Sequence, residues 1–213
     1  MIGRVAAEAL GTALLLAAVV GSGIMGELLA AGNTAIALLA NTVATATALY
    51  ALITMFAPIS GAHFNPLVTL TAWLDQQLEA RTALAYTGAQ LAGGVAGVGV
   101  AHLMFELPVV AAGTISRTGA AQWLSEGIAA FGLVLAIRLT VRFNPANTAS
   151  VVACYIAAAY WFTASTSFAN PAVTVARSLT PTFSGIRPAD APLFILAQLA
   201  GAIAAWAISR RPR

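Results

Sequence analysis

Asn65-Pro-Leu-Val-Thr69 and Asn170-Pro-Ala-Val-Thr174 open two short apolar segments in a chain otherwise made of long apolar runs. Asn-Pro starts a turn or a helix. At the depth of a bilayer, irregular backbone is tolerated only where protein buries it or a wet cavity meets it. The setting is a bilayer: 60% of the 213 residues are hydrophobic and 8% are charged, with a mean hydropathy of +0.86. A soluble domain carries roughly a quarter charged residues.

Breakers and charges divide the chain into six long segments, at 5–26, 34–57, 81–105, 122–142, 148–165 and 190–208. Each is close to the ~20 apolar residues that one span requires. The first, Val5 to Met25, is read as a retained helix. The two segments that open with Asn-Pro, 65–74 and 170–179, fall short of the ~17 residues of the shortest span. Cys154 lies alone in an apolar segment, which predicts a free cysteine packed in a helix and excludes an intrachain disulfide.

The halves repeat in order. The Asn-Pro-x-Val-Thr pair recurs at an offset of 105, and Ala89-Gln-Leu-Ala-Gly93 recurs as Ala197-Gln-Leu-Ala-Gly201 at an offset of 108. Glu8 and Glu126 each stand near the start of the first span of their half. Three spans per half is an odd number, so the second half enters the membrane inverted, and the site is predicted where the interrupted segments meet. The chain has no lysine; with the N-terminus inside, Arg4, Arg81, Arg138, Arg142, Arg210, Arg211 and Arg213 face the cytoplasm and Arg117, Arg177 and Arg187 face outward. That bias predicts both termini in the cytoplasm and explains the net charge of +3 without a nucleic-acid partner.

Proline suits the first turn of a helix and asparagine the position before it. Each short segment is therefore predicted to be a half-helix starting near the midplane, its N-terminus aimed at that of its counterpart. Such ends carry about half a positive charge each and repel cations and protons. The Asn65 and Asn170 amides can donate to a passing oxygen. Backbone in Gly61-Ala-His-Phe64 and Thr166-Ser-Phe-Ala169 is expected to offer carbonyls along the path. The residues implicated are thus Gly61, Ala62, His63, Phe64, Thr166 and Phe168 beside the two asparagines.

At this point the chain resembles the major intrinsic proteins, the aquaporins and aquaglyceroporins. The likeness rests on Ala7-Glu-Ala-Leu-Gly-Thr12, on Ser60-Gly-Ala-His-Phe-Asn-Pro-Leu67 and on Ser167-Phe-Ala-Asn-Pro-Ala172, and covers almost the whole chain. It implies an all-α membrane protein: an aquaporin-like bundle of six transmembrane helices plus two re-entrant half-helices in an inverted repeat. Residues 1–213 would form a single channel domain, with 1–110 as one half-repeat and 118–213 as the other. It also implies that Glu8 and Glu126 brace the two loops, that the pore motifs are Asn65, Pro66, Leu67 and Asn170, Pro171, Ala172, and that the channel is a homotetramer of the inner (cytoplasmic) membrane of a bacterium. No cofactor or metal is implied.

Departures from the family pattern shape the expected function. Leucine replaces alanine in the first motif, a change expected to trim the waist. The family builds its outer filter from four positions, and counting without gaps from the asparagines places them at Thr45, Ala158, Ser167 and Val173. Water-selective members resemble Phe, His, a small residue and Arg there. Without ring, imidazole or guanidinium the filter should be wider and less polar. The valine variant looks like bacterial aquaglyceroporins associated with arsenic resistance. The resemblance thus implies passage of small neutral solutes: glycerol, urea, metalloid hydroxides such as arsenite and related arsenicals, with water as a further candidate.

Arg177 lies four residues after Val173 on the same helix face. It is either a displaced filter arginine or, the favoured reading, a partner for an outer-loop carbonyl or another subunit. His63 is expected to line the pore and His102 to pack at the interface. Two other classes stay open: a water-selective channel and a structural protein with a closed pore. A membrane enzyme is disfavoured, since no nucleophile or metal-ligand cluster accompanies Glu8 and Glu126.

Overall fold

The computed structural model describes residues 1–210; Arg211 and Arg213, used above for orientation, lie outside the described residues. The elements are α1 (Ile2–Leu29), α2 (Thr34–Ser60), α3 (Pro66–Leu74), α4 (Ala80–Met104), α5 (Ala120–Phe143), a 3-10 turn (Pro145–Asn147), α6 (Thr148–Phe162), α7 (Pro171–Arg177) and α8 (Ala191–Ser209). No strand occurs among the described residues. Five helices, α1, α2, α4, α5 and α8, are long and apolar enough to cross a membrane. With 15 residues, α6 alone reaches only about 22 Å at 1.5 Å per residue; the 3-10 turn before it continues the segment.

The repeat seen in sequence is a repeat in packing. α1 lies on α4 as α5 lies on α8, and α1 pairs with α2 as α5 pairs with α6. The recurring Ala-Gln-Leu-Ala-Gly pentapeptide serves these crossings. A Cβ at Gly93 would stand 2.2 Å from the Ala9 carbonyl oxygen, and one at Gly201 would stand 2.0 Å from that of Gly127. Only glycine permits backbones this close, the small-residue logic of helix association in lipid.

Each half-helix is clasped by both halves: α3 touches α4 and α8, and α7 touches α4 and α8. Asparagine and proline start them as their chemistry requires. Asn65 Oδ1 accepts from Leu67 N at 2.9 Å, Asn170 Oδ1 accepts from Ala172 N at 2.9 Å, and proline follows at the first helical position in both. The start of α1 and the end of α8 fall on one side, here the terminal face; α3 runs from mid-depth toward it, and α7 runs toward the opposite, distal face.

Two peripheral expectations change. Cys154 is exposed on α6 rather than packed, because it projects from the flank of that helix opposite the core. His102 is fully buried instead of interfacial: one ring nitrogen lies 2.6 Å from Pro108 O and the other 2.8 Å from Thr180 Oγ1, so it ties the end of α4 to two distal loops.

Candidate functional site

A cavity of about 1150 Å³ extends from the terminal face past both asparagines to Val173 and Arg177. Its terminal-face mouth is lined by Gln76, Gln77, Arg138, Arg142, Ser209 and Arg210, its middle by His63, Phe64, Asn65, Val68 and Asn170, and its distal part by Thr45, Tyr160, Ser167, Phe168, Val173 and Arg177.

The waist is held by two buried carboxylates. Glu8 Oε1 accepts from Ser60 Oγ at 2.6 Å and from His63 N at 2.9 Å; its Oε2 accepts from Phe64 N at 2.7 Å and Gln90 Nε2 at 2.8 Å. Glu126 does the same in the other half, taking Phe168 N and Ala169 N, each at 2.9 Å, and Gln198 Nε2 at 2.6 Å. Both are fully buried. A charge there is tolerated because donors surround it. The glutamines, themselves steadied by Thr69 and Thr174, escaped the sequence reading although their pentapeptide repeat was visible.

What the carboxylates hold is strained backbone. Ala62 and Phe64 have φ of 49° and 48°, and their repeat mates Ser167 and Ala169 have 53° and 47°. Non-glycine residues pay about 1–3 kcal/mol each in this left-handed region, and the carboxylate-bound N–H groups offset that cost. The turn so formed lets each asparagine reach across the waist. Asn65 Nδ2 donates to Ala169 O at 2.9 Å, and Asn170 Nδ2 donates to Phe64 O at 2.8 Å. One amide hydrogen of each is thus committed to the opposite loop, and the second stays free for a solute oxygen, since each amide has two.

Most of the anticipated pore residues do meet: Thr45, Gly61, Ala62, His63, Phe64, Ser167, Phe168 and Val173 share the cavity with both asparagines. Three placements are corrected. Ala158 is exposed on the outer flank of α6, while Ile156 and Tyr160 face the cavity. At 100° per residue, 156 and 160 share a face that 158 opposes. Tyr160 Oη reaches Thr45 Oγ1 at 3.3 Å, so an aromatic stands where none was expected. Thr166 is outside the cavity lining; Arg117 draws it away, with Nη1 3.4 Å from its Oγ1. Leu67, the odd third residue of the first motif, is fully buried in the core and trims nothing, and Ala172 is likewise enclosed. Pro66 and Pro171 sit at the helix starts, beside rather than in the lining.

Arg177 is 2% exposed. It donates from Nε to the Ser184 carbonyl and also lines the cavity, so both sequence-level readings hold part of the answer. At the terminal-face mouth, Asp75 pairs with Arg138 and accepts from Trp206 Nε1 at 2.8 Å. This joins α3, α5 and α8, a cluster the sequence did not suggest. Among the described residues no group of three or more His, Cys, Asp or Glu could hold a metal ion.

Residues 1–160 match the profile of the major intrinsic protein family. The chain belongs to that family. It is 57% identical over 207 residues, 97% of this chain and 88% of the relative, to the aquaglyceroporin AqpS of Rhizobium meliloti strain 1021. A probable aquaporin, TIP1-1, of Oryza sativa subsp. japonica is 34% identical over 139 residues, 63% of this chain and 55% of its own. Among solved structures, the X-ray structure of the aquaglyceroporin from Plasmodium falciparum superimposes with a TM-score of 0.75 at 19% identity, covering 97% of this chain and 94% of that one. As a major intrinsic protein the chain is a multi-pass membrane channel for small neutral solutes, not an enzyme.

Proposed function

We propose that this major intrinsic protein is a passive, wide-filter channel for uncharged solutes larger than water: glycerol, urea and metalloid hydroxides such as As(OH)3 and related arsenicals, with water passing as well. The observation that carries the reading is Val173 in the cavity wall beside Thr45 and Ser167, a position where a guanidinium would narrow the opening; the rings of Tyr160 and Phe168 and the guanidinium of Arg177 line the same distal part from other positions. Likeness to an aquaglyceroporin over almost the whole chain supports the solute class. The chain acts as one domain in a bacterial inner membrane, with both termini cytoplasmic and four copies per assembly. The excess of arginine on the terminal face supports that orientation.

The test is light-scattering stopped-flow on proteoliposomes given inward gradients of glycerol, urea and arsenite. Flux of all three well above that of empty vesicles is expected. Water flux alone would make the protein a water-selective channel, and no flux would leave it a closed structural protein.

A further inference from the structure

Two arginines meet at the distal end of the cavity, and they are used differently. Both lie over Phe168: Cζ of Arg177 is 3.4 Å from the ring centroid and Cζ of Arg117 is 5.0 Å from it. Arg117 is consumed by the loops. Its Nε donates to Gly185 O at 2.8 Å, its Nη1 to Ser165 O at 3.1 Å, and its Nη2 reaches Phe183 O at 3.5 Å. Arg177 spends only Nε, on the carbonyl of Ser184 between those two. Among the described residues its terminal nitrogens meet no protein acceptor, and the side chain lines the cavity beside Val173 and Ser167.

We propose that Arg177 is the charged selectivity residue of the distal constriction, its guanidinium held flat on Phe168 by the Ser184 carbonyl so that the terminal N–H groups face the solute path. The assignment rests on the channel reading above and sharpens its solute class. Position 173 sets the width, and Arg177, one turn further along α7, supplies the charge and the donors. A fixed cation almost without water around it repels other cations strongly, because little solvent screens it. Its flat fork suits oxygens that accept hydrogen bonds, as in polyols, urea or an uncharged metalloid hydroxide. The pore is therefore both wide and closed to cations. Solutes without an acceptor oxygen find no replacement there for their water.

Proteoliposomes carrying an internal pH dye, under a valinomycin-imposed potassium potential, report proton conductance; the same vesicles in a glycerol gradient report solute flux. Wild-type vesicles should pass glycerol while conducting protons no faster than empty ones. Arg177→Met should raise proton conductance by about tenfold or more, because the fixed positive charge is gone. Arg177→Lys should keep the proton barrier but slow glycerol by about threefold, since an ammonium lacks the rigid fork. Proton conductance equal to wild type in Arg177→Met overturns the proposal, as does a wild-type channel that passes both glycerol and protons. If methionine prevents assembly, the lysine variant decides: wild-type behaviour in both assays overturns the assignment, and a kept barrier with slowed glycerol supports it. Wild-type vesicles that pass no glycerol overturn the channel reading itself.

Discussion

The two half-repeats build the same brace and dress it differently. Around Glu8 and Glu126 the bonds correspond group by group: carboxylate to two loop N–H groups, carboxylate to a glutamine, that glutamine to a threonine of the half-helix. What surrounds the brace does not correspond. In the first half Ser60 adds a fourth donor to Glu8, and His63 stands edge-on to Tyr86 with ring centroids 5.5 Å apart. Around the second brace Arg117, from the loop that joins the halves, and Arg177 cover Phe168. The shared part shapes two strained turns that point at each other; the unshared part gives each mouth its own chemistry.

The largest effect should come from breaking the shared part. Glu8→Gln or Glu126→Gln turns an amide donor toward backbone N–H groups and leaves them unpaired in a buried place. A cost of about 3–5 kcal/mol is expected for each, read as a lower unfolding temperature in detergent or as failure to assemble. Glu8→Gln should be the worse, since that carboxylate holds four donors against three for Glu126. Equal tolerance of both would mean that the turns are held by packing alone.

Next in size is the crossed pair of amides. Aspartate keeps the N-cap of Asn65 or Asn170 but loses the donor to Ala169 O or Phe64 O and puts a negative charge at the waist. Glycerol flux should fall by about tenfold in Asn65→Asp and Asn170→Asp alike, because each loses an interaction buried without replacement. Strong loss in only one would break the symmetry of the waist.

The half-helices also carry matching valines, Val68 and Val173, each three residues after its asparagine and each in the cavity wall. Val173→Arg faces the confined distal part and should cut glycerol flux by about tenfold while costing water less, as a restored guanidinium narrows the opening. Val68→Arg opens toward the mouth lined by Arg138, Arg142 and Arg210, where an added cation changes less; about a twofold loss is expected. Equal losses for every solute at Val173→Arg would count against a filter at that position.

Much of this could be read before any coordinates. The helix ranges and the half-helices follow from apolar length and Asn-Pro chemistry; the bracing role of the two glutamates is implied by the family resemblance, in keeping with the rule that a charge in lipid needs partners. The failures gather where regular periodicity stops. Residues 163–170 contain no helix, so counting back from Asn170 through them put the filter at Ala158, and only the register of α6 shows that Tyr160 faces inward. Leu67 looked like pore chemistry because its neighbours are, yet as the second residue of α3 it points about 100° away from the one before it. The triad itself can mislead: Asn144-Pro145-Ala146 spells the motif but lies exposed before α6. The function of Asn-Pro comes from a carboxylate and a facing loop, which no three-letter pattern contains.

The smallest effect sharpens the comparison at the helix starts. Glu79 precedes α4 and Asp190 precedes α8 at repeat-related places, and neither side chain caps its helix, but Glu79 is exposed. Asp190 is buried and accepts from Arg187 Nε at 3.0 Å, Arg187 Nη2 at 3.0 Å and the Arg117 backbone N–H at 2.8 Å. The hydrogen bond from Arg187, ahead of the one from the Arg117 backbone, holds the Asp190 carboxyl below its ordinary value. A depressed carboxyl stabilises the fold at pH values above its unfolded pKa of about 3.9, and that contribution disappears as pH falls through the lower folded value. Unfolding temperature should therefore be insensitive to this group from neutrality to about pH 5 and lose its contribution below about pH 4. Asp190→Asn should flatten that acid limb and loosen the backbone of Arg117, while Glu79→Gln leaves the limb in place. An acid limb unaltered in Asp190→Asn would mean that the pairing with Arg187 adds nothing to the fold, as is common for ion pairs open to water.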